Sequence, residues 1–298
     1  MPLLENATLR VELLDPVSDR SRLGPRFAWG GYIWQVHDAT AGPLFAGPEW
    51  PKSDPAPHNG QGLPESFRHR TTDGAPLLWR GETGLAPGAG ALGLDAGGAV
   101  IVTEPCAWTI ESQTPTRIVY RTAQAVLGWS YELERTVELR ERTLLSTSRL
   151  LNRGDAPLAL EWFAHLFFSL ESGRARVQLP AGTGLPPNPG FALEGRELVL
   201  RRTFNGERDG HLDHLVLPRD EPFSARLSHP KLTHVDFATD FAPFKCVVWA
   251  NGNTLSLEPF LALHLAPCSA HAWTLRYDFG TSSGIRSPGF SARTPAAE

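Results

Sequence analysis

The chain has 298 residues, 41% of them hydrophobic, and a formal net charge of -4. So mild an imbalance predicts no nucleic-acid footprint and no polybasic patch for a membrane surface. No apolar run approaches the roughly 20 residues that span a bilayer, and the N-terminal MPLLENATLRVELLDP lacks the basic-then-apolar order of a secretory signal. The three cysteines, Cys106, Cys246 and Cys268, are widely spaced and form no CxxC pair, which argues against a zinc ribbon or a disulfide framework. The expectation is a soluble, cytoplasmic protein in a reducing compartment.

In chain order, RFAWGGYIWQV (26–36) reads as an early hairpin carrying Trp29, Trp34 and Gln35. The segment from about 41 to 98 is rich in Gly and Pro and reads as long loops over one end of a sheet. Within it, GPEWP (47–51) is either loop structure or a stacking surface for a sugar, since Trp serves both uses. Gly88, Gly90 and Gly93 fit GxGxxG, but the fingerprint needs a helix to start within it, and here the run leads into AVIVTE, a strand. A dinucleotide site is therefore not expected.

From about residue 117 the dominant pattern is period two. In WSYELERTVELRE, Tyr131, Leu133, Arg135, Val137 and Leu139 share one face, while Glu132, Glu134, Thr136 and Glu138 share the other. RIVYRTAQAV, TLLSTSRLL, ELVLRRTF, FSARLSH, KCVVWA, TLSLEPFLALHLA and AWTLRYDFG also read as strands, separated by turn signals such as NRGD and NGN. Helical periodicity is hard to find. The pattern predicts an all-β protein built as a large antiparallel β-sandwich or barrel. It suits one domain over residues 1–280, with 281–298 as a mobile tail.

Three segments hold polar groups in apolar surroundings. In EWFAHLFFSL (161–170), an unbroken strand puts His165 on a face with Phe163 and Phe167. A buried imidazole needs partners for both ring nitrogens, so it is either a satisfied core residue or a group facing a cavity. In NTLSLEPFLALHLAP, Glu258 shares a face with Ser256 and Phe260, and Pro259 removes a ladder donor beside it. That Glu is either a solvent-facing edge residue or part of a pocket mouth. In GERDGHLDHLVL, Asp213 lies between His211 and His214; a polar surface turn is the plainer reading, and no third metal ligand is identifiable.

Taken together, HLFFSL at His165, DHLVL at Asp213 and His214, and LSLEP at Glu258 resemble, in order and spacing, the galactose mutarotase (aldose 1-epimerase) superfamily. The resemblance covers about residues 118 to 280 and is poor before 100. It implies a mutarotase-like supersandwich that interconverts the α and β anomers of a hexose or related sugar. Glu258 would be the general base, His165 the general acid and Asp213 a ligand for sugar hydroxyls, with no cofactor and no metal. The N-terminal half departs from the family pattern. There NGQGLPESFRHR offers Glu65, Arg68, His69 and Arg70 as substrate-binding candidates. The partner implied is a small-molecule carbohydrate, with a homodimer left open.

Two alternatives share that fold. A hexose-6-phosphate 1-epimerase would need a cationic clamp, for which Arg26, Lys52, Arg68 and Arg70 are the evident N-terminal suppliers. A non-catalytic sugar-binding or sensing protein would keep the cleft without turnover. A hydrolase or lyase on a similar sandwich would want a carboxylate pair or a Tyr/His base; with four tyrosines and no evident acid pair, the chain offers neither. If the acid and base flank a ring, their separation should be on the order of 5 to 8 Å.

Overall fold

The computed structural model describes residues 1–68, 70, 71, 73–171, 174–205 and 210–282. The tail call on 281–298 and the candidate His69 thus fall largely or wholly outside the described residues. Strands dominate, and among the described residues the one helical element is a 3-10 turn at Arg20–Arg22. The strands form four sheets, of ten, six, four and four strands. The large sheet runs in the order Trp108–Gln113, Arg117–Val126, Trp129–Arg140, Thr143–Asn152, Ala270–Phe279, Val235–Thr239, then four shorter strands. Every pairing within it is antiparallel.

The period-two reading of Trp129–Arg140 holds residue by residue. Tyr131, Leu133, Val137 and Leu139 are buried, while Glu134, Thr136 and Glu138 are half-exposed. Glu132 is the exception: it is buried under Arg121 and Arg153, which pair with it. Arg135 lies on the apolar face and is 1% exposed.

The six-stranded sheet has the order Gly210–Leu215, Lys245–Ala250, Thr254–Leu265, Leu158–Ala164, Glu65–Arg68, and Phe168–Ser169 pairs back onto Thr254–Leu265. Its inner face packs on the large sheet. Trp162 meets Trp273 with ring centroids 5.2 Å apart, and Phe67 meets the same indole at 6.4 Å. Residues at even spacing from these point inward, and their neighbours point out to the opposite face.

The 41–98 segment is only in part the long loop that its Gly and Pro content predicts: residues 44–64 form no strand, but the later part does. Trp79–Arg80, Thr83–Ala86 and Gly90–Leu94 pair with Val100–Pro105 in a small sheet of their own. A Cβ at Gly84 would come within 2.1 Å of the Trp79 ring, so this strand needs glycine for close approach rather than for a turn.

Glu65 requires a correction. It was a substrate-binding candidate beside Arg68, but the two sit on opposite faces of one strand. Glu65 points inward, is 1% exposed and pairs with Arg135 of the large sheet. Its carboxylate also accepts from Ser146 at 2.6 Å and Ser148 at 3.1 Å. Arg135 donates further to the Gly30 carbonyl at 2.8 Å. Breaking a buried pair by removing one partner strands the other charge. Glu65→Leu should therefore cost about 3 to 5 kcal/mol. Urea denaturation would show this, and Glu65→Leu with Arg135→Met should recover much of the loss; a single variant as stable as wild type would refute a structural role.

Candidate active site

The outer face of the six-stranded sheet carries a cleft of about 560 Å³. Strand register lays its floor out in rows. Lys245 pairs with Phe260, Phe260 with Phe163, and Phe163 with Ser66, so these four cross the sheet in one line. One row toward the Gly210–Leu215 end of the cleft, Val247 pairs with Glu258. All six line the cleft, together with Arg26, His58, Arg68, Arg70, His211 and Asp213.

His165 lies behind Glu258, in a gap in the sheet. The sequence suggested an unbroken strand over 161–170, but Leu158–Ala164 stops at Ala164 and pairing resumes only at Phe168 with Leu255. Pro259 has no N–H to donate at this point. The freed backbone turns to the neighbouring loop instead: His165 N–H donates to the Pro64 carbonyl and Phe167 N–H to the Gly62 carbonyl, each at 2.9 Å. That loop is held from its other side, where Gly62, at φ +77°, packs on the Ile33–Trp34 backbone; a Cβ there would lie 2.3 Å from the Ile33 carbonyl oxygen.

The imidazole fills the gap. Its Nε2 stands 3.4 Å from Glu258 Oε1 and its Nδ1 3.4 Å from the Ser256 hydroxyl. Phe27, Phe163, Phe167 and Trp249 surround the ring at centroid distances of 4.7 to 6.3 Å. Burial in this aromatic box holds His165 well below the usual imidazole value, and the nearby Arg26 and His58 act in the same direction. Burial drives Glu258 the other way, up to about 7, against the opposing pull of Arg26 and Lys245. Both shifts favour an uncharged pair, a carboxylic acid beside a neutral imidazole, holding one proton between them near neutral pH.

The remaining candidates divide. Asp213 lines the cleft on a bulge of Gly210–Leu215 and is exposed, with His214 at 3.6 Å. Arg68 and Arg70 line it as well; Arg68 reaches Glu161 at 3.3 Å, and Arg70 donates to the Gly74 carbonyl at 3.3 Å. Lys52 pairs with Glu49 and does not line the cleft. Trp50 of GPEWP is exposed beside a separate cavity with Lys231 and Asn253. His58 and Lys245 were missed. His58 comes from a loop without periodicity, where its carbonyl accepts from Arg26 at 3.1 Å. Lys245 could have been found from the KCVVWA pattern, which puts it on the face of Val247. Among the described residues no group of three His, Cys, Asp or Glu side chains is placed to hold a metal ion.

A larger groove of about 780 Å³ lies at the far edge of the ten-stranded sheet. It is rich in arginine, holds no histidine, and its Glu194 is bonded to Arg176 at 3.2 Å. It offers no acid–base pair.

Solved structures share this architecture. A galactose mutarotase-related enzyme from Lactobacillus acidophilus matches with a TM-score of 0.63 at 13% identity, over 95% of this chain and 98% of its own. The fold is that of the galactose mutarotase-like proteins. A galactose mutarotase-like protein from Lactobacillus casei ATCC 334 matches with a TM-score of 0.58 at 12% identity, over 94% and 99% of the two chains. A candidate aldose 1-epimerase from Escherichia coli K12 gives 0.57 at 16%, over 94% and 98%. No protein-family model matches the sequence, and no curated protein does. On this mutarotase-like fold the identities carry architecture alone, so chemistry has to be argued from the cleft.

The raised carboxyl makes a stability prediction. A carboxyl whose folded value lies above its unfolded one contributes stability that is full below the unfolded carboxylate range and is lost as pH rises through about 7. Glu258→Gln removes the titration. Its Tm should exceed that of wild type by a few degrees above pH 7 and converge on it in acid; equal melting curves across the range would exclude a buried, raised Glu258.

Proposed function

We propose that this protein is an aldose 1-epimerase, which opens and recloses the ring of a sugar to exchange its anomers. The observation that carries the reading is the buried His165–Glu258 contact of 3.4 Å, whose carboxyl lines a sugar-sized cleft with the imidazole directly behind it. Ring opening takes a proton from the anomeric hydroxyl and gives one to the ring oxygen as the C1–O5 bond breaks. Both oxygens are bonded to C1, so the acid and base serve best as neighbours. The wider separation expected from the sequence assumed that they flank the ring, which the chemistry does not require.

Glu258 lines the cleft and is assigned the anomeric hydroxyl as base; His165 is assigned the ring oxygen as acid. This assignment uses the form in which the shared proton has crossed the 3.4 Å contact from Oε1 to Nε2. The count then closes. One proton leaves the pair, one enters it, rotation about C1–C2 presents the other aldehyde face, and reclosure reverses the transfers. Ser256 at Nδ1 orients the ring. Asp213, which lines the cleft, is assigned to accept from sugar hydroxyls. Phe163 and Phe260, stacked face to face at 4.5 Å and 8°, provide an apolar part of the floor under the sugar.

Anomer exchange measured by NMR saturation transfer across a panel of aldoses tests this. Glu258→Gln and His165→Ala should each reduce kcat/KM by at least about a hundredfold. Because the working pair holds one proton, wild-type kcat/KM should fall as pH rises through about 7. The acid limb should lie well below the ordinary imidazole value, where His165 gains a second proton. Binding of a sugar without accelerated exchange would favour a sensor on the same fold.

A further inference from the structure

We propose that the cleft selects an aldose bearing an anionic group, a phosphate or a carboxylate, at the end of the sugar remote from C1, with Lys245 and Arg68 as the anion clamp. The proposal rests on the epimerase reading for the position of C1 and deepens it by naming the substrate class.

Two observations carry it. The first is charge. Arg26, Arg68, Arg70 and Lys245 all line the cleft. Facing them are Asp213 on the wall and Glu161, which Arg68 contacts at 3.3 Å, while Glu258 sits in the buried contact with His165. Among the described residues the lining is therefore net positive, in a protein whose overall charge is -4. Such a local excess against the global sign concentrates anions in the cleft.

The second is placement. Lys245 Nζ lies 4.4 Å from the Phe260 ring centroid and the Arg68 guanidinium 5.7 Å from the same centroid, so two cations from strands on either side of the Phe260 strand converge on one aromatic ring. Each opposes the charge of the other, and burial together with Arg68 holds Lys245 below its ordinary value. Phe260 is two residues along its strand from Glu258. That spacing corresponds to roughly 7 Å, close to the reach from the anomeric carbon to a substituent at the far end of a hexose. A sugar seated on Phe163 and Phe260 with C1 at Glu258 would present that substituent to the two cations. At the other end of the same row as Lys245, two residues before Arg68, the buried Ser66 hydroxyl has no hydrogen-bond partner among the described residues. An anion between Lys245 and Arg68 would relieve the repulsion between the two cations.

The test measures dissociation constants by calorimetry for glucose 6-phosphate, glucuronate and glucose, on wild type, Lys245→Met, Lys245→Arg and Arg68→Gln, with anomer exchange recorded in parallel. The expected result is at least a tenfold preference for one anionic sugar over glucose. That preference should collapse in Lys245→Met and Arg68→Gln, survive in Lys245→Arg and weaken as salt is raised. Which anionic sugar binds tighter identifies phosphate or carboxylate as the group held. Equal binding of glucose and both anionic sugars, or no binding of any of the three, would overturn the proposal. So would a preference that persists in both charge-removing variants. Anionic preference without accelerated exchange would sustain the clamp while refuting the epimerase reading; exchange on glucose without anionic preference would do the reverse.

Discussion

The buried ion pair between Arg135 and Glu65 is the contact on which the placement of the cleft depends. It joins the large sheet to the edge strand of the smaller one, and its hydroxyl partners Ser146 and Ser148 come from a third strand. With Glu65 held inward, the next residue Ser66 and then Arg68 must face outward into the cleft. The Pro64 carbonyl, one residue before, is then in place to receive the His165 N–H. An ion pair of this kind contributes little net stability, because desolvating two charges costs about what their attraction returns. Its effect here is geometric: an apolar pair could slide or rotate, whereas a bonded pair with fixed donors permits one register.

The break in the smaller sheet turns that fixed frame into a site. A continuous ladder would leave His165 on a flat apolar surface. Pro259 withholds a donor, the 62–64 loop is seated on Ile33 and Trp34 through Gly62, and the backbone N–H groups of 165 and 167 are satisfied by that loop instead of by Thr254–Leu265. Glu258 and the imidazole then meet in a pocket walled by four aromatic rings. Burial acts with opposite sign on an acid and a base, raising one and lowering the other, so a single environment brings the pair toward shared-proton behaviour. The half-buried cations Lys245 and Arg68, farther along the floor, define the other end of the cleft.

Much of this was legible in the chain. Alternation over Trp129–Arg140 and Thr254–Leu265 marked strands and their buried faces, because side-chain period two is a local property of extended backbone. His165, Asp213 and Glu258 were readable as chemistry-bearing groups because each interrupts an apolar pattern or breaks a ladder rule. Glycine in 84–98 was misread as loop because its role in close strand approach depends on Trp79, which comes from the paired strand. Glu65 was misassigned because its counterion lies 70 residues away, and grouping it with Arg68 ignored the alternation that separates their faces.

Local sequence thus determined the all-β class, the position of most strands in the second half, and the identity of the acid–base candidates. Tertiary structure alone decided that His165 and Glu258 touch, that Lys245 and His58 join Arg26 and Arg68 in one cleft, and that Glu65 faces the core. The physical reason is the range of the interactions. Alternation and ladder breaks act between residues adjacent along the chain, while burial, ion pairing and charge convergence are set by strands that become neighbours only when the sheets close.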